Sequence, residues 1–227
     1  MLTGSQSPMH YRAVLPGIVV GLSTMSVAQA ASFLQPPGHF GGFGSDGSVF
    51  SVADDFQYAE ATPISGLNWW GGYLNPPSGP DVFTVRLFAD DDGRPGTLLQ
   101  QVVFDSVSKE STGQFVNGVP QLYSEFRYSA TFEKPFLAEA GVTYWLSIIN
   151  PPRDTWLWEA SAGTADFGVQ RTLGQEDWLP YYDNAAFELT SVPESKYTAL
   201  AGLGIASLAW FLRSTKRSNA NQPPGSL

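Results

Sequence analysis

Three consecutive aspartates form the densest group of candidate metal ligands in the sequence. Asp90, Asp91 and Asp92 are followed directly by Gly93. Calcium takes about six to eight oxygen ligands, which a turn of carboxylates and backbone carbonyls supplies. The run lacks the spaced acidic residues and the distal glutamate of an EF-hand loop, and Asp and Gly also favour a solvated hairpin turn. Two interpretations therefore stay open, a calcium-binding turn and a plain hairpin tip.

Aromatic side chains are the second candidate, because flat indole and phenol rings offer an apolar stacking surface to sugar rings. Trp156 and Trp158 are two positions apart, so they share a face if they lie on one strand. Further candidates for this ligand platform are Trp70, Trp178, Tyr181 and Tyr182. The alternative is that large aromatics fill the core, where we expect Trp69, Trp145 and one face of the Trp156 strand.

Catalysis finds little support in the sequence. There is no cysteine, and after the N-terminal segment the one histidine is His39, which we expect in an exposed loop. Imidazole-dependent nucleophilic catalysis needs a rigidly held histidine. The hydrolase, phosphate-loop and metalloprotease motifs are absent. Glu159, Glu176 and Asp177 lie near aromatic residues and leave open a polysaccharide hydrolase with paired carboxylates, but we expect no enzyme and no cofactor beyond calcium.

Net charge and composition limit the classes of partner that the protein can bind. Residues 31–190 hold 20 of the 21 acidic residues and 7 of the 12 basic ones, a formal charge of −13. Such a charge repels phosphate backbones, so we expect no nucleic-acid partner. About 160 residues suffice for one domain with its own core. Without cysteine, that domain relies on packing for its stability.

Alternating apolar and polar residues from position 49 to 190 predict an all-β fold. Phe83, Val85 and Leu87 fall on one face of a strand. Phe126, Tyr128, Ala130 and Phe132 do the same, while Glu125, Arg127, Ser129 and Thr131 are expected to face water. No helical period occurs there, so an antiparallel, jelly-roll-like β-sandwich is predicted. The nine predicted strands span Phe50–Tyr58, Ile64–Trp70, Val82–Phe88, Thr97–Phe104, Glu125–Phe132, Val142–Ile149, Thr155–Ala160, Phe167–Arg171 and Ala185–Thr190.

The N-terminal thirty residues have the parts of a secretory signal peptide. A weakly basic start around Arg12 precedes an apolar stretch over 13–27, and Ala28 and Ala30 frame a cleavage site for signal peptidase. An uncleaved anchor is the alternative. Residues 31–48, rich in Gly and Pro, are predicted to form a flexible lead segment before the sandwich.

The C-terminal segment, 191–217, combines a short motif, an apolar helix and a basic cluster, followed by a polar tail at 218–227. The apolar run over 198–212 makes a helix of roughly 22 Å, short of a ~30 Å hydrocarbon core unless flanking basic side chains extend it. A buried helix is the alternative. The motif and cluster consist of Val192, Pro193, Glu194, Arg213, Lys216 and Arg217.

This C-terminal segment resembles the PEP-CTERM sorting signal of Gram-negative bacteria. In that family, the membrane transpeptidase exosortase recognises a Val-Pro-Glu-Pro-like motif, a transmembrane helix and a basic tail. Ser195 here stands where the second Pro is usual, and the tail is longer. The resemblance implies export, anchoring in the inner membrane through the C-terminal helix, and later transfer to the cell surface or the extracellular matrix.

Several phrases of the central region resemble exported bacterial β-sandwich proteins that often carry the same C-terminal signal. They include 52–56, 64–73, 83–96, 140–148 and 185–189. The resemblance supports the fold and implies no reaction. We therefore expect a tethered envelope or matrix protein that acts by surface or exopolysaccharide contact. The alternatives are a lectin-like carbohydrate-binding module and the hydrolase described above.

Overall fold

The computed structural model describes residues 32–75, 79–117, 123–151, 156–163, 167–172, 174–181 and 183–191. Every regular element in these ranges is a strand, and none of the described residues forms a helix long and apolar enough to cross a membrane. The predicted signal peptide and the predicted C-terminal helix with its polar tail lie outside the described residues.

The described residues form thirteen strands, and all of the pairings between them are antiparallel. They are β1 (Ser32–Gln35), β2 (Pro37–Gly44), β3 (Phe50–Gln57), β4 (Thr62–Tyr73), β5 (Phe83–Asp90), β6 (Pro95–Phe104), β7 (Ser108–Phe115), β8 (Ser124–Ala138), β9 (Thr143–Ile149), β10 (Trp156–Ser161), β11 (Val169–Thr172), β12 (Leu179–Pro180) and β13 (Phe187–Ser191).

The strands form two sheets. Sheet A has the order β1-β13-β4-β10-β2, with β8 also paired to β4 and β7 paired to β8; sheet B has the order β12-β11-β3-β9-β5-β6. The long strand β4 organises sheet A, since it pairs with β8 on one side and with β13 and then β10 on the other. The predicted all-β sandwich of antiparallel sheets is thereby confirmed.

The core lies between the sheets and is rich in aromatic residues. Trp69, Trp156, Trp158 and Tyr128 from sheet A are fully buried against Phe83 and other residues of sheet B. Burial of an aromatic side chain removes a large apolar surface from water, so these residues account for much of the packing in a domain without disulfides.

All nine predicted strands are confirmed; most of their ends shift by at most three residues, but β8 continues six residues beyond its predicted end at Phe132. The prediction missed β1, β2, β7 and β12, and the interpretation of 31–48 as a flexible lead segment was wrong. The glycines of β2 serve close packing: a Cβ on Gly42 would lie 2.8 Å from the Trp158 carbonyl oxygen and 2.9 Å from Val116. Glycine-rich composition here therefore marks the approach of two backbones, not a mobile segment.

Candidate functional site

The predicted aromatic platform is not assembled on the surface. Trp156 and Trp158 do share a face, as predicted, but that face is the core, and both side chains are fully buried. The Trp158 indole N–H donates to the carbonyl of Ala186 at 2.9 Å. The prediction that Trp156 and Trp158 form a ligand platform is therefore wrong, because neither ring is exposed to solvent.

Trp178 and Tyr181, two further platform candidates, also lie apart from one another. Trp178 is buried in a second apolar cluster with Phe88 and Trp145, beneath the guanidinium of Arg171 at 4.7 Å. Tyr181 is half-buried, with its ring edge-on to Phe43 at 4.3 Å. Tyr182 lies outside the described residues.

Trp70 lies partly exposed on the outer face of sheet A. In β4, Leu67 and Trp69 face the core, so Asn68 and Trp70 point to the outer face of sheet A. The indole of Trp70 is half-buried, and the guanidinium carbon of Arg127 lies 5.9 Å from its ring centre. A flat ring is thus available beside a cation.

Polar side chains continue the outer face from Trp70 across three strands. Asn68 donates its amide N–H to Glu188 Oε2 at 2.8 Å, and Arg127 Nη2 lies 3.7 Å from the same oxygen. We call Asn68, Trp70, Arg127 and Glu188 the outer row. This arrangement places an aromatic face, an amide, a cation and a carboxylate within one connected surface.

An open groove of about 430 Å³ adjoins the outer row. Asn68 lines it together with hydroxyl side chains from neighbouring strands and the β6–β7 connection. Hydroxyl groups donate and accept hydrogen bonds, so the groove suits a hydroxyl-rich ligand. The hydroxyl residues that line it are Ser106, Ser108, Ser129, Thr131 and Thr190.

The acidic run forms the β5–β6 hairpin turn. Asp90 Oδ1 accepts the indole N–H of Trp145 at 2.8 Å, and its Oδ2 accepts the Gly93 amide at 3.3 Å. Asp91 and Asp92 are exposed, and Asp92 has a φ of 55°. The hairpin interpretation accounts for these contacts, and calcium binding by Asp90, Asp91 and Asp92 stays a prediction.

A cluster of one histidine and two glutamates was not foreseen. His39 Nδ1 lies 2.6 Å from Glu125 Oε2 and 3.5 Å from Glu159 Oε1. The His39 backbone N–H also donates to Glu159 Oε1 at 2.8 Å. One ligand atom from each of the three residues lies within 4.8 Å of the others. We call these residues the His39 cluster.

Two expectations fail at this cluster. Glu125 does lie on the face of β8 opposite Tyr128, but it is 1% exposed and does not reach water. His39 is held in β2 by both carboxyl groups, so it is not a free loop histidine. Nothing in the local pattern reveals this, because the residues come from strands 34 to 120 positions apart; a glutamate between Trp158 and Ala160 was the only available signal.

The electrostatics of the cluster follow from burial. Glu159 is fully buried, and this burial, the hydrogen bond with Glu125 and the repulsion from its charge all raise the pKa of Glu159 well above its usual value. Among the described residues, Glu125 Oε1 and Glu159 Oε2 have no hydrogen-bond partner. The cluster therefore holds two adjacent buried carboxyl groups with spare oxygen atoms, and the partly exposed His39 lies on its solvent side.

The other predicted site residues either lie far from one another or lie outside the described residues. Glu159 is buried in sheet A, whereas Glu176 and Asp177 are exposed before β12 in sheet B. The signal-cleavage residues Ala28 and Ala30 lie outside the described residues. So do the sorting-type residues Val192, Pro193, Glu194, Arg213, Lys216 and Arg217.

Comparison with known protein families gives one result. The family model for a domain of unknown function, DUF7901, matches residues 31–190, and the chain therefore belongs to that family. The match spans all thirteen strands except the last residue of β13, and it stops before the segment that resembles a PEP-CTERM signal. No curated protein gives a significant match.

Proposed function

We propose that this DUF7901 domain is exported, is tethered to the cell envelope through its C-terminal segment, and binds exopolysaccharide on the outer face of sheet A. The observation that carries the proposal is the outer row, in which Trp70 lies beside Arg127 and near Asn68 and Glu188. Carbohydrate recognition needs an apolar ring face with polar groups around it, and this surface supplies both.

The charge of the domain suggests the class of polysaccharide. With a formal charge of −13 over 31–190, the domain repels polyanions at low and moderate salt. We therefore propose a neutral glycan as the ligand. Hydroxyl groups in the groove beside the outer row then take the place of the charged contacts that an acidic glycan would need.

Two finer parts of the proposal concern the shape and the tether. The chain passes repeatedly between sheets, as from β2 to β3 and back to β4, which supports a jelly-roll-like arrangement. Ser32 pairs with Thr190, so the two ends of the domain leave sheet A together. A processed signal peptide and a membrane tail at one end are consistent with that geometry.

Two alternative functions predict different results in binding and activity measurements. A lectin-like carbohydrate-binding module predicts preference for one sugar on an array. A polysaccharide hydrolase predicts turnover that single Glu→Gln changes abolish. Its candidate acids do not favour it, because Glu159 is buried in sheet A while Glu176 and Asp177 are exposed before β12 in sheet B.

Binding to neutral and acidic polysaccharides tests the ligand. We expect the protein to bind a neutral glucan, and Trp70→Ala to weaken that binding about tenfold, equivalent to about 1.4 kcal/mol, while Trp70→Phe retains most of it. Leu99→Ala, an exposed change on sheet B, is the control. Equal binding by Trp70→Ala and the native protein would overturn the proposal, provided their melting temperatures agree.

The location of the protein tests the tether. Expressed in a host with an exosortase, the native chain should lose its mass beyond about Pro193 and leave the inner membrane. A chain with both Pro193→Ala and Glu194→Ala should stay there. If both chains keep their tails in the membrane fraction, the tail is an anchor and the resemblance to a sorting signal is misleading.

A further inference from the structure

We propose that His39, Glu125 and Glu159 bind one divalent transition-metal ion, of the zinc or manganese type, in sheet A. Three donor atoms converge within 4.8 Å from strands β2, β8 and β10. The residues are 86 and 120 positions apart from His39, so only the folded sheet brings them together. The inference does not depend on polysaccharide binding.

Two buried carboxylate oxygen atoms of the cluster are available to a ligand. Glu125 and Glu159 are 1% and 0% exposed, and Glu125 Oε1 and Glu159 Oε2 have no hydrogen-bond partner among the described residues. An unpaired polar atom in a buried site costs free energy. A bound cation would engage such oxygen atoms and neutralise the carboxylates.

Nearby basic side chains are committed elsewhere among the described residues. Lys109 pairs with Asp81 at 3.0 Å and Arg127 with Glu188 at 3.7 Å, whereas the ion pairs of Glu125 and Glu159 within the described part of the chain are with His39. A divalent cation bound here would balance two carboxylates, whereas a single imidazole carries at most one positive charge.

The types of ligand select the class of metal. One imidazole nitrogen with two carboxylates is a set that zinc and other first-row metals accept, while calcium and magnesium prefer oxygen ligands alone. The His39 side chain is 39% exposed, so one side of the cluster opens to solvent. Water can complete the coordination there, as at sites with three protein ligands.

The surrounding backbone holds the ligands in place before a metal binds. The His39 N–H donates to Glu159 Oε1 at 2.8 Å, and His39 has a φ of 60°, in the left-handed region. Buried Val116 packs against both β2 and β4, because a Cβ on either Gly42 or Gly72 would lie 2.9 Å from its methyl groups. Strand β10 lies between β2 and β4 and pairs with both, so its hydrogen bonds set their spacing near the cluster.

The full chain, freed of metal by a chelator, tests the inference in titrations with Zn²⁺, Mn²⁺, Ca²⁺ and Mg²⁺. We expect one Zn²⁺ or Mn²⁺ per chain and a rise in melting temperature, with much weaker effects of Ca²⁺ and Mg²⁺. Cobalt(II) should give an absorption spectrum that changes in His39→Ala.

Matched variants show where the metal binds. Glu125→Gln and Glu159→Gln keep the side-chain shape and should weaken zinc binding about 100-fold or more, whereas Glu133→Gln, the same change at an exposed position of β8, should leave it unchanged. Melting curves without metal confirm that each variant folds. No stoichiometric binding by the native chain, or binding that survives both glutamine changes, would overturn the inference.

Discussion

His39 Nδ1 lies 2.6 Å from Glu125 Oε2, although 86 residues separate them in the chain. The contact exists because β2 pairs with β10, β10 with β4, and β4 with β8. At the other end of β4, Ser191 pairs with Ile64. Gly71 pairs with Phe126, the neighbour of Glu125 in β8. It lies seven residues after Ile64 in β4, which corresponds to roughly 23 Å at about 3.3 Å per residue. The cluster thus lies far from the point where the chain leaves the domain.

Two substitutions of Glu159 should distinguish the contribution of its side-chain volume to stability from that of its hydrogen bonds. In the metal-free protein we expect Glu159→Gln to change stability little, because an amide oxygen still accepts the His39 N–H. Glu159→Ala leaves that N–H unpaired and opens a cavity, and should cost about 2–3 kcal/mol. Urea unfolding of both variants measures the difference, and equal midpoints would contradict the packing described for the cluster.

Gly72 should tolerate no side chain. A Cβ there would lie 2.5 Å from the Ser124 carbonyl oxygen and 2.9 Å from Val116 Cγ2. We expect Gly72→Ala to destabilise the domain by about 2 kcal/mol or more, since backbone must move to admit a methyl group. Gly41→Ala is the matched control, because nothing lies within 4 Å of its Cβ. Similar thermal unfolding of the two variants would argue against this close approach.

Asp54 connects the two sheets from inside the core. It is fully buried in β3, and its Oδ2 accepts the Ala185 N–H at 2.5 Å. Its Oδ1 accepts the Asp55 N–H at 2.9 Å. We expect Asp54→Ala to cost about 3 kcal/mol because both donors lose their acceptor, and Asp54→Asn to cost less.

Chemical denaturation measures the effect of Asp54, with the exposed Asp105→Asn as the control. If Asp54→Ala is as stable as the control, the carboxylate does not link the sheets as described.

Asp46 should make stability depend on pH in the acidic range. Partial burial acts to raise its pKa, but hydrogen bonds from Val49, Ser48 and Phe50 outweigh it and hold the pKa below 3.8. The folded state therefore favours the carboxylate. Its contribution is complete above the unfolded pKa and is lost as the pH falls through the lower folded pKa.

We expect Asp46→Asn to lower stability at pH 7 by up to about 1 kcal/mol, because the partly exposed hydrogen bonds are screened by solvent. The difference from the native protein should shrink near pH 2. Urea midpoints at both pH values measure it, and a difference that grows on acidification would contradict the assigned pKa direction.

The local sequence pattern predicted the strands that alternate apolar and polar residues. It did not predict the strands that depend on pairing with a neighbouring strand. Period two in β5 assigned Phe83, Val85 and Leu87 to the core correctly. Polar β7 has no apolar alternation and was missed, because its stability comes from pairing with β8. The sequence of glycine-rich β2 predicted a flexible segment, because glycine is typical of turns. The glycines themselves do not indicate that another backbone packs closely against them.

The candidate sites show the same limit. The shared face of Trp156 and Trp158 follows from their spacing, but which sheet covers that face depends on the tertiary fold. The exposure of Trp70 follows from alternation with Trp69. The His39 cluster depends on three pairings across sheet A, and no local sequence pattern encodes that register.

Hydrogen–deuterium exchange of the native protein, with and without a saturating neutral glucan, tests the central claim most directly. If the outer face of sheet A around Trp70 is the binding surface, peptides from β4, β8 and β13 should gain protection, and those from β5 and β9 in sheet B should not. Protection confined to sheet B, or no protection at glucan concentrations that bind the protein, would contradict the account.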